Sequence, residues 1–400
     1  MSVPAYRLLF YSAAIVVFGV MGQAVARGWL ARELTGNNAG LGGVMLVFGA
    51  SMLVTTPLGG VAADRYPKRL VLLLAVFALM ASSLAVGVAV IADVIEYWML
   101  LIAGGVQAAA FAFYLPARIA LISEVVPPSL LQNAVVLAQM AQEAMRVFAP
   151  ALAGVLIGVA WFGVGGVFIG SGIASAVAAL FVARLPRVPR RTDFGRSPFG
   201  EIVDAVRYVR ANHEVGLIAL VTVGVVMVGF PYLTFLPTLA DDRFDVGAVG
   251  YGVMSGVAGL GAVIAGLVTA RRSGQRPWAT IAWSGIAFGV AVIALGVVDS
   301  YPLALVALAC IGGSGLMFQT TTQALLLHVS ALEYHGRLQS LVILGFSGFG
   351  LMALPLGIMA DAVTLEITLA TMGATVVAIT ALFAAARYRH RRGAAAIEIG

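Results

Sequence analysis

Long apolar runs recur along this chain from one end to the other, and they restrict its fold more than any other feature. Twelve of them are long enough for an α-helix to cross a hydrocarbon layer, which takes about 20 residues. Short segments of alternating polarity, the mark of a membrane barrel, do not occur, so the spans must satisfy their backbone groups as helices. The approximate spans are 8–31, 41–63, 70–92, 97–121, 133–158, 163–184, 215–238, 247–270, 278–298, 302–327, 338–360 and 365–386.

The composition agrees with a chain whose solvent is the bilayer. Hydrophobic residues make up 61% of the sequence and charged residues 10%, against about 25% charged residues in an ordinary soluble domain. One soluble core cannot hide that much apolar surface. The net charge of +6 does not indicate a nucleic-acid partner, because the basic residues are placed as membrane topology requires.

Basic residues concentrate on one side of the predicted membrane, as the positive-inside rule demands. With the N-terminus inside, 19 of the 24 are cytoplasmic: Arg7, Arg65, Lys68, Arg69, seven arginines between 184 and 210, Arg271, Arg272, Arg276, Arg337 and four between 387 and 392. Only Arg32 and Arg243 lie outside, on the side that carries Glu33, Asp93, Glu96, Asp241, Asp242, Asp245, Asp299, Asp361 and Glu366. We therefore predict a multi-pass protein of the cytoplasmic membrane with both termini in the cytoplasm.

The chain carries a weak internal repeat. Residues 60–69 have a degraded echo at 266–276, and Gln132-Asn133 corresponds to Gln339-Ser340 at a similar offset of about 207 residues. Two pseudo-symmetric six-helix bundles follow. The predicted domains are residues 1–184, a cytoplasmic linker with an amphipathic helix at 185–214, and residues 215–400 with a cytoplasmic tail.

Residues 60–69, Gly-Val-Ala-Ala-Asp-Arg-Tyr-Pro-Lys-Arg, form a dense charged cluster between the second and third runs. Asp64 is an acidic residue among cations, and a carboxylate there can accept hydrogen bonds from the N-terminus of another helix. The stretch resembles the loop between helices 2 and 3 of the major facilitator superfamily, with Pro67 at the family's usual glycine. The resemblance implies a twelve-helix transporter.

The same resemblance implies a latch on the cytoplasmic side. It joins this loop to the start of the eleventh helix, residues 335–339, when the transporter is open outward. The alternative is a loop that is only a positive-inside anchor. The candidate gate and latch residues are Gly60, Asp64, Arg65, Arg69 and Arg118.

A nearer branch of that family is indicated by residues 29–36, by Pro116-Ala117-Arg118 ahead of residues 124–127, and by Gly336-Arg337. These stretches resemble macrolide-type drug exporters and enterobactin-type siderophore exporters. Residues 149–154 are also similar to the signature of exporters, with Met145 and Ala149 in place of its leading glycines. The branch implies proton-coupled efflux of a bulky amphipathic molecule by alternating access.

The fifth span carries a polar stripe at membrane depth. Gln139, Gln142, Glu143 and Arg146 follow the helical spacing i, i+3, i+4, i+7 and share one face. Polar groups at this depth are costly and mark functional sites, so Glu143 with Arg146 is the candidate for proton coupling. The alternative is a static buried ion pair that orders the bundle.

Further polar and aromatic residues are candidates for the substrate cavity, around which the family places helices 1, 4, 7 and 10. Arg27 can instead snorkel to water from near the outer helix end, and Arg118 contacts substrate only as the minor alternative to its gate role. The candidates, which include the polar residues of the fifth span, are Gln23, Arg27, Gln107, Phe111, Tyr114, Gln139, Gln142, Met227, Phe230, Thr234, Gln319, Thr322 and Gln323.

Catalytic and cofactor chemistry is not predicted. The four histidines are scattered, and neither a phosphate loop nor an HExxH motif occurs. The expected protein is a monomer, not an enzyme, that binds no metal or cofactor and meets a small-molecule substrate, protons and membrane lipids. The open alternatives are a siderophore or lipid exporter, an importer or facilitator, and, outside transport, a receptor or scaffold.

Overall fold

The fold is a succession of long helices. The computed structural model describes residues 3–186, 198–271, 276–331 and 334–397, and these contain no β-strand. The helices are α1 (Pro4–Thr35), α2 (Asn38–Arg65), α3 (Lys68–Ile91), α4 (Tyr97–Val125), α5 (Pro128–Ile157), α6 (Gly163–Ala183), α7 (Pro198–Ala211), α8 (His213–Gly229), α9 (Gly247–Arg271), α10 (Pro277–Val297), α11 (Tyr301–Val329), α12 (His335–Ala362) and α13 (Leu365–Ile397).

These helices confirm the predicted all-α membrane fold. Within the described residues, 11 spans are long and apolar enough to cross a membrane, and Ser347–Ala362 of α12 is a shorter apolar helix. Large apolar side chains such as Leu74, Leu220 and Leu382 are exposed, as expected for a surface that faces lipid. Six helices extend three or more residues beyond the apolar runs that predict them, at one end or both: α1, α2, α4, α5, α12 and α13.

The seventh predicted span, 215–238, is not one regular helix. Its α-helical part, α8, ends at Gly229 and continues as a 3-10 helix (Phe230–Phe235), one short α-turn (Leu236–Thr238) and a π-helix (Leu239–Arg243). Pro231 accounts for the break, because it lacks the amide hydrogen that a continuing α-helix would use. Of the predicted linker, α7 lies in the described part, whereas residues 187–197 lie outside it. Residues 272–275 of the degraded repeat lie outside it as well.

The helices form two compact units. One contains residues 1–200 and 236–256, and the other contains residues 201–235 and 257–400. The core of the first unit includes Leu72, Val76, Tyr114 and Val182. In the second unit, Phe288, Phe318, Met372 and Val376 are buried. Residues 236–256 thus pack with the first unit although they come from the second half of the sequence, and the predicted division at 184 and 215 stays a prediction.

The crossing of α2 and α4 depends on one glycine. A Cβ atom at Gly59 would lie 2.2 Å from the backbone oxygen of Ala112, whereas a Cβ at Gly60 meets no described atom within 4 Å. Gly59→Ala is therefore expected to lower the free energy of unfolding by about 1–3 kcal/mol through overpacking. Gly60→Ala should leave it unchanged or raise it by up to about 1 kcal/mol, the gain in helix propensity.

Unfolding of both variants in detergent micelles, followed by tryptophan fluorescence, checks this expectation. Equal stability of the two variants would show that α2 and α4 do not approach each other through Gly59.

Candidate functional site

A chain of hydrogen bonds joins α1, α3 and α4 inside the first unit. Arg27 Nη2 donates to Gln107 Oε1 (2.6 Å), Gln107 Nε2 donates to Gln23 Oε1 (2.5 Å), and Gln23 Nε2 donates to Ser83 Oγ (2.7 Å). The Ser83 hydroxyl in turn donates to the carbonyl oxygen of Leu79 at 2.6 Å. Every amide in this chain both donates and accepts, so the orientation of Gln107 toward Arg27 is fixed. Three predicted cavity residues are thus brought together.

Arg27 is the charged end of this network, and it lies deep in the protein. Only 2% of the residue is exposed, and it precedes the end of α1 by eight residues, or about 12 Å of helix. Its guanidinium lies 5.3 Å from the centre of the Phe48 ring, a cation–π distance. The alternative that Arg27 snorkels to water does not fit this structure, because the residue is buried and its guanidinium bonds to Gln107.

The guanidinium of Arg27 has no negatively charged partner among the residues that the structure describes. Its Nε is buried and makes no hydrogen bond to any of them. Burial of a charge without a counter-charge is costly. The hydrogen bond to Gln107 therefore stabilises a cation whose remaining donors stay available.

Gln107→Leu is expected to lower the free energy of unfolding by about 1.5–3 kcal/mol, the range for a hydrogen bond to a charged group. The loss arises because the leucine leaves the Arg27 guanidinium without its acceptor. Arg27→Met combined with Gln107→Leu should recover the part of this loss that comes from the unpaired guanidinium, since an apolar pair replaces both partners. The loss at Gln23 Oε1, whose donor is Gln107 Nε2, should remain. Chemical unfolding of the single and double variants in detergent provides a double-mutant cycle. Additive losses would contradict a direct interaction between the two side chains.

A second polar contact joins α4 to α5. Arg118 is 5% exposed, and its Nη2 donates to Gln142 Oε1 at 3.1 Å. The Nε of Arg118 is buried without a hydrogen-bond partner among the described residues. Tyr114 lies one turn away and is stacked on Phe111 with ring centroids 6.4 Å apart. The side chains of Arg118 and Gln142 line a small cavity together with Phe10, Ala13, Ala14, Val17, Ala138 and Ala141.

The structure describes the predicted polar stripe of α5 only in part. Gln139 and Arg146 are exposed, and Gln142 is half-buried. The side chain of Glu143 lies outside the described part of the structure, so its pairing with Arg146 stays a prediction.

The charged cluster at 60–69 is tied to the ends of α4 and α6. Lys68 Nζ lies 2.6 Å from Glu124 Oε1, and Arg69 Nη2 donates to the carbonyl oxygen of Ala183. Arg65 is exposed. The side chains of Asp64, His335 and Gln339 lie outside the described part, so the latch stays a prediction. The Lys68–Glu124 pair was missed, although an acidic residue near the end of the fourth span was a signal for it.

In the second unit the candidates range from buried to exposed positions. Phe230 lies against Phe288 with centroids 5.2 Å apart, and Met227 is half-buried beside Gly348. Thr234 is buried, and its hydroxyl has no hydrogen-bond partner among the described residues. Thr322 donates to the carbonyl oxygen of Phe318 in its own helix at 2.8 Å, which occupies its donor. Gln319 is half-buried and Gln323 exposed.

Residues 236–256 contact α1 and α2 through polar groups. Arg32 Nη2 lies 2.6 Å from both carboxylate oxygens of Asp242, and Thr238 Oγ1 donates to Asn38 Oδ1 at 2.8 Å. The rings of Trp29 and Tyr251 are stacked with centroids 6.4 Å apart. These contacts were not predicted. Their signal in the sequence was Arg32, a rare basic residue on the predicted outer side among acidic ones.

The same segment contacts α5 through glycine. A Cβ at Gly154 would lie 2.2 Å from the Cα of Gly252, and a Cβ at Gly256 would lie 2.9 Å from the Cβ of Ala151. Small residues of this kind allow helix backbones to approach closely in lipid. The backbones of α5 and of residues 247–256, the start of α9, therefore approach closely at Gly154 and Gly252.

Comparison of the sequence with known families finds a match to the Major Facilitator Superfamily over residues 9–355. An uncharacterized MFS-type transporter of Bacillus subtilis, YfiS, is 29% identical over 146 residues, which cover 36% of this chain. The match spans only about a third, 33%, of the length of that relative.

Solved structures with a similar fold cover nearly all of the chain. A bacterial homologue of the human lysosomal transporter Spinster has a TM-score of 0.75 at 16% identity, with 96% of this chain and 97% of that one covered. A mutant of the peptide transporter POT has a TM-score of 0.78 at 12% identity, with 97% and 95% covered. A mutant of the nucleoside transporter NupG has a TM-score of 0.75 at 14% identity, with 95% and 99% covered.

Proposed function

This chain belongs to the Major Facilitator Superfamily, and from that premise we propose that it exports a bulky amphipathic small molecule in exchange for protons. The proposed transporter lies in the cytoplasmic membrane with both termini inside and works by alternating access. The observation that carries the proposal is the buried network of Gln23, Arg27 and Gln107. Polar side chains at bilayer depth are retained where a solute or ion passes.

The contacts of residues 236–256 support the alternating-access part of the proposal. In the proposed orientation, Arg32 and Asp242 lie on the outer side, where their ion pair holds two segments from different halves of the sequence together. Opening toward that side then requires this pair and the Gly154–Gly252 approach to separate. Both are contacts that a modest movement can break, because one is partly exposed and the other has no interlocking side chains.

Residues at the opposite helix ends support a gate on the proposed cytoplasmic side. Lys68 pairs with Glu124, and Arg69 reaches the end of α6, so the loop after α2 is held firmly. In the proposal, Asp64 meets the start of α12 when the transporter is open outward. Glu143, with Arg146 nearby in α5, carries the coupling proton.

Transport in proteoliposomes with an imposed pH gradient tests the proposed function. The probes are ethidium, erythromycin and anilinonaphthalene sulfonate, which have similar amphipathic character and different charge. We expect at least one of them to move against its own concentration gradient only when the pH gradient is imposed. Movement down the concentration gradient alone would identify a facilitator, and the absence of flux with folded protein would favour a receptor or scaffold.

A further inference from the structure

The Arg27 guanidinium points to the chemical class of the solute. We propose that Arg27 binds an anionic group, a carboxylate or a phosphate, on the molecule that the protein transports. The inference rests on the proposed transport function and deepens it, because it selects anionic amphiphiles among the amphipathic solutes considered above.

The first argument is charge. The Arg27 side chain carries a full positive charge, and only 2% of the residue is exposed. It has no carboxylate partner among the described residues. Buried arginines in membrane proteins pair with anions or line a solute path. Its one described hydrogen-bond acceptor, Gln107, is a neutral amide. The guanidinium is therefore hydrogen-bonded, but its positive charge is not neutralised.

The second argument is preorganisation. The chain from Ser83 through Gln23 to Gln107 holds the Nη2 side of the guanidinium, while Nε makes no hydrogen bond to the described residues. The planar guanidinium presents its donors as a fork that matches a carboxylate or phosphate. A fork already held in place loses little side-chain entropy when an anion binds.

The third argument is space. A Cβ built at Gly104 of α4 meets one described atom within 4 Å, Nη1 of Arg27 at 3.8 Å. A methyl-sized space therefore remains beside Nη1 of the guanidinium, on the side of α4. At the next residue of α1 the space is filled, because a Cβ at Gly28 would lie 3.0 Å from the hydroxyl of Tyr251. The Phe48 ring next to the cation supplies an apolar surface for the body of an amphiphile.

A purely structural arginine makes different predictions. If Arg27 only ties α1 to α4, its replacement alters stability and leaves the choice between charged and neutral ligands unchanged. A matched pair of ligands separates the two roles. Octanoate and octanamide have the same carbon chain and differ in the charge of the head group.

The experiment measures binding of octanoate and octanamide to the purified full-length protein in phosphatidylcholine nanodiscs by calorimetry, with empty nanodiscs subtracted. We expect the wild-type protein to prefer octanoate by about tenfold or more, the value of one charged hydrogen bond. Arg27→Gln should abolish this preference, and Arg27→Lys should retain part of it, since it keeps the charge and loses the fork. Arg32→Gln, whose arginine already pairs with Asp242, should keep the ratio of the two affinities unchanged.

A second arm separates the two sources of an anionic group. Phosphatidylglycerol added to the nanodiscs weakens octanoate binding to the wild-type protein if a lipid head group occupies the site, and leaves it unchanged if the anion belongs to a soluble solute. Either result supports an anion site, provided that Arg27→Gln removes the octanoate preference. Because binding is measured without flux, a protein that fails to transport can still pass this test. The proposal is overturned if wild type has no preference for octanoate, or if folded Arg27→Gln retains that preference.

Discussion

Gly154→Ala is expected to lower solute flux in proteoliposomes by about tenfold. A Cβ at this position would lie 2.2 Å from the Cα and 2.7 Å from the nitrogen of Gly252, and backbone atoms cannot rotate aside. Overpacking costs about 1–3 kcal/mol, and 1.4 kcal/mol already changes an equilibrium tenfold. The substitution therefore depopulates the arrangement in which Gly154 of α5 lies against Gly252, at the start of α9, which the proposed cycle must visit.

A matched glycine provides the control. Gly170→Ala also adds one methyl group inside a predicted span, but its nearest described neighbour is the Phe162 ring at 3.7 Å, an ordinary contact. Its flux should equal that of the wild type. Cross-linking of cysteines placed at positions 32 and 242, with Cys310→Ser, reports the closed arrangement directly. Undiminished flux and cross-linking in folded Gly154→Ala would contradict a requirement for this packing.

The helices themselves could be predicted from the sequence because each span is a continuous apolar run. Their ends could not be predicted as well, because hydrophobicity changes gradually where a helix leaves the membrane. The end of α1 shows what was overlooked. Gly36 has a left-handed backbone with φ of 64°, and the Asn37 side chain accepts a hydrogen bond from the amide of Gly40. Gly36 ends α1 and Asn37 caps the start of α2, and the apolar pattern contains neither signal.

The site could be predicted in part for a similar reason. Helical spacing assigns Gln23 and Arg27 to one face of α1, and Gln107 to a polar face of α4. Whether two such faces meet depends on how helices pack, which spacing within one helix does not determine. The Arg32–Asp242 pair, 210 residues apart in sequence, is the clearest case. Its partners are each visible as charges, but their contact follows from the tertiary fold.

Glu143→Gln is expected to lower gradient-driven transport at least tenfold while exchange of solute for solute persists. Glu143 lies near the middle of α5, 14 residues from its end at Ile157, or about 21 Å along the axis. A carboxamide keeps the shape of the side chain and cannot take up or release a proton, whereas exchange requires no net proton movement. Transport with and without a pH gradient, and counterflow at equal pH, measure the two activities separately.

The matched control for this variant is another carboxylate. Glu124→Gln removes an acidic group that already pairs with Lys68 at 2.6 Å, so gradient dependence should persist even if the rate falls. A static Glu143–Arg146 pair would give a different pattern, because breaking a buried pair destabilises a protein by about 3–5 kcal/mol. Gradient-driven transport and exchange would then fall together, and Arg146→Gln would reproduce the effect. Gradient-driven transport that is unchanged in Glu143→Gln would exclude this residue as the proton carrier and direct the search to carboxylates nearer the helix ends.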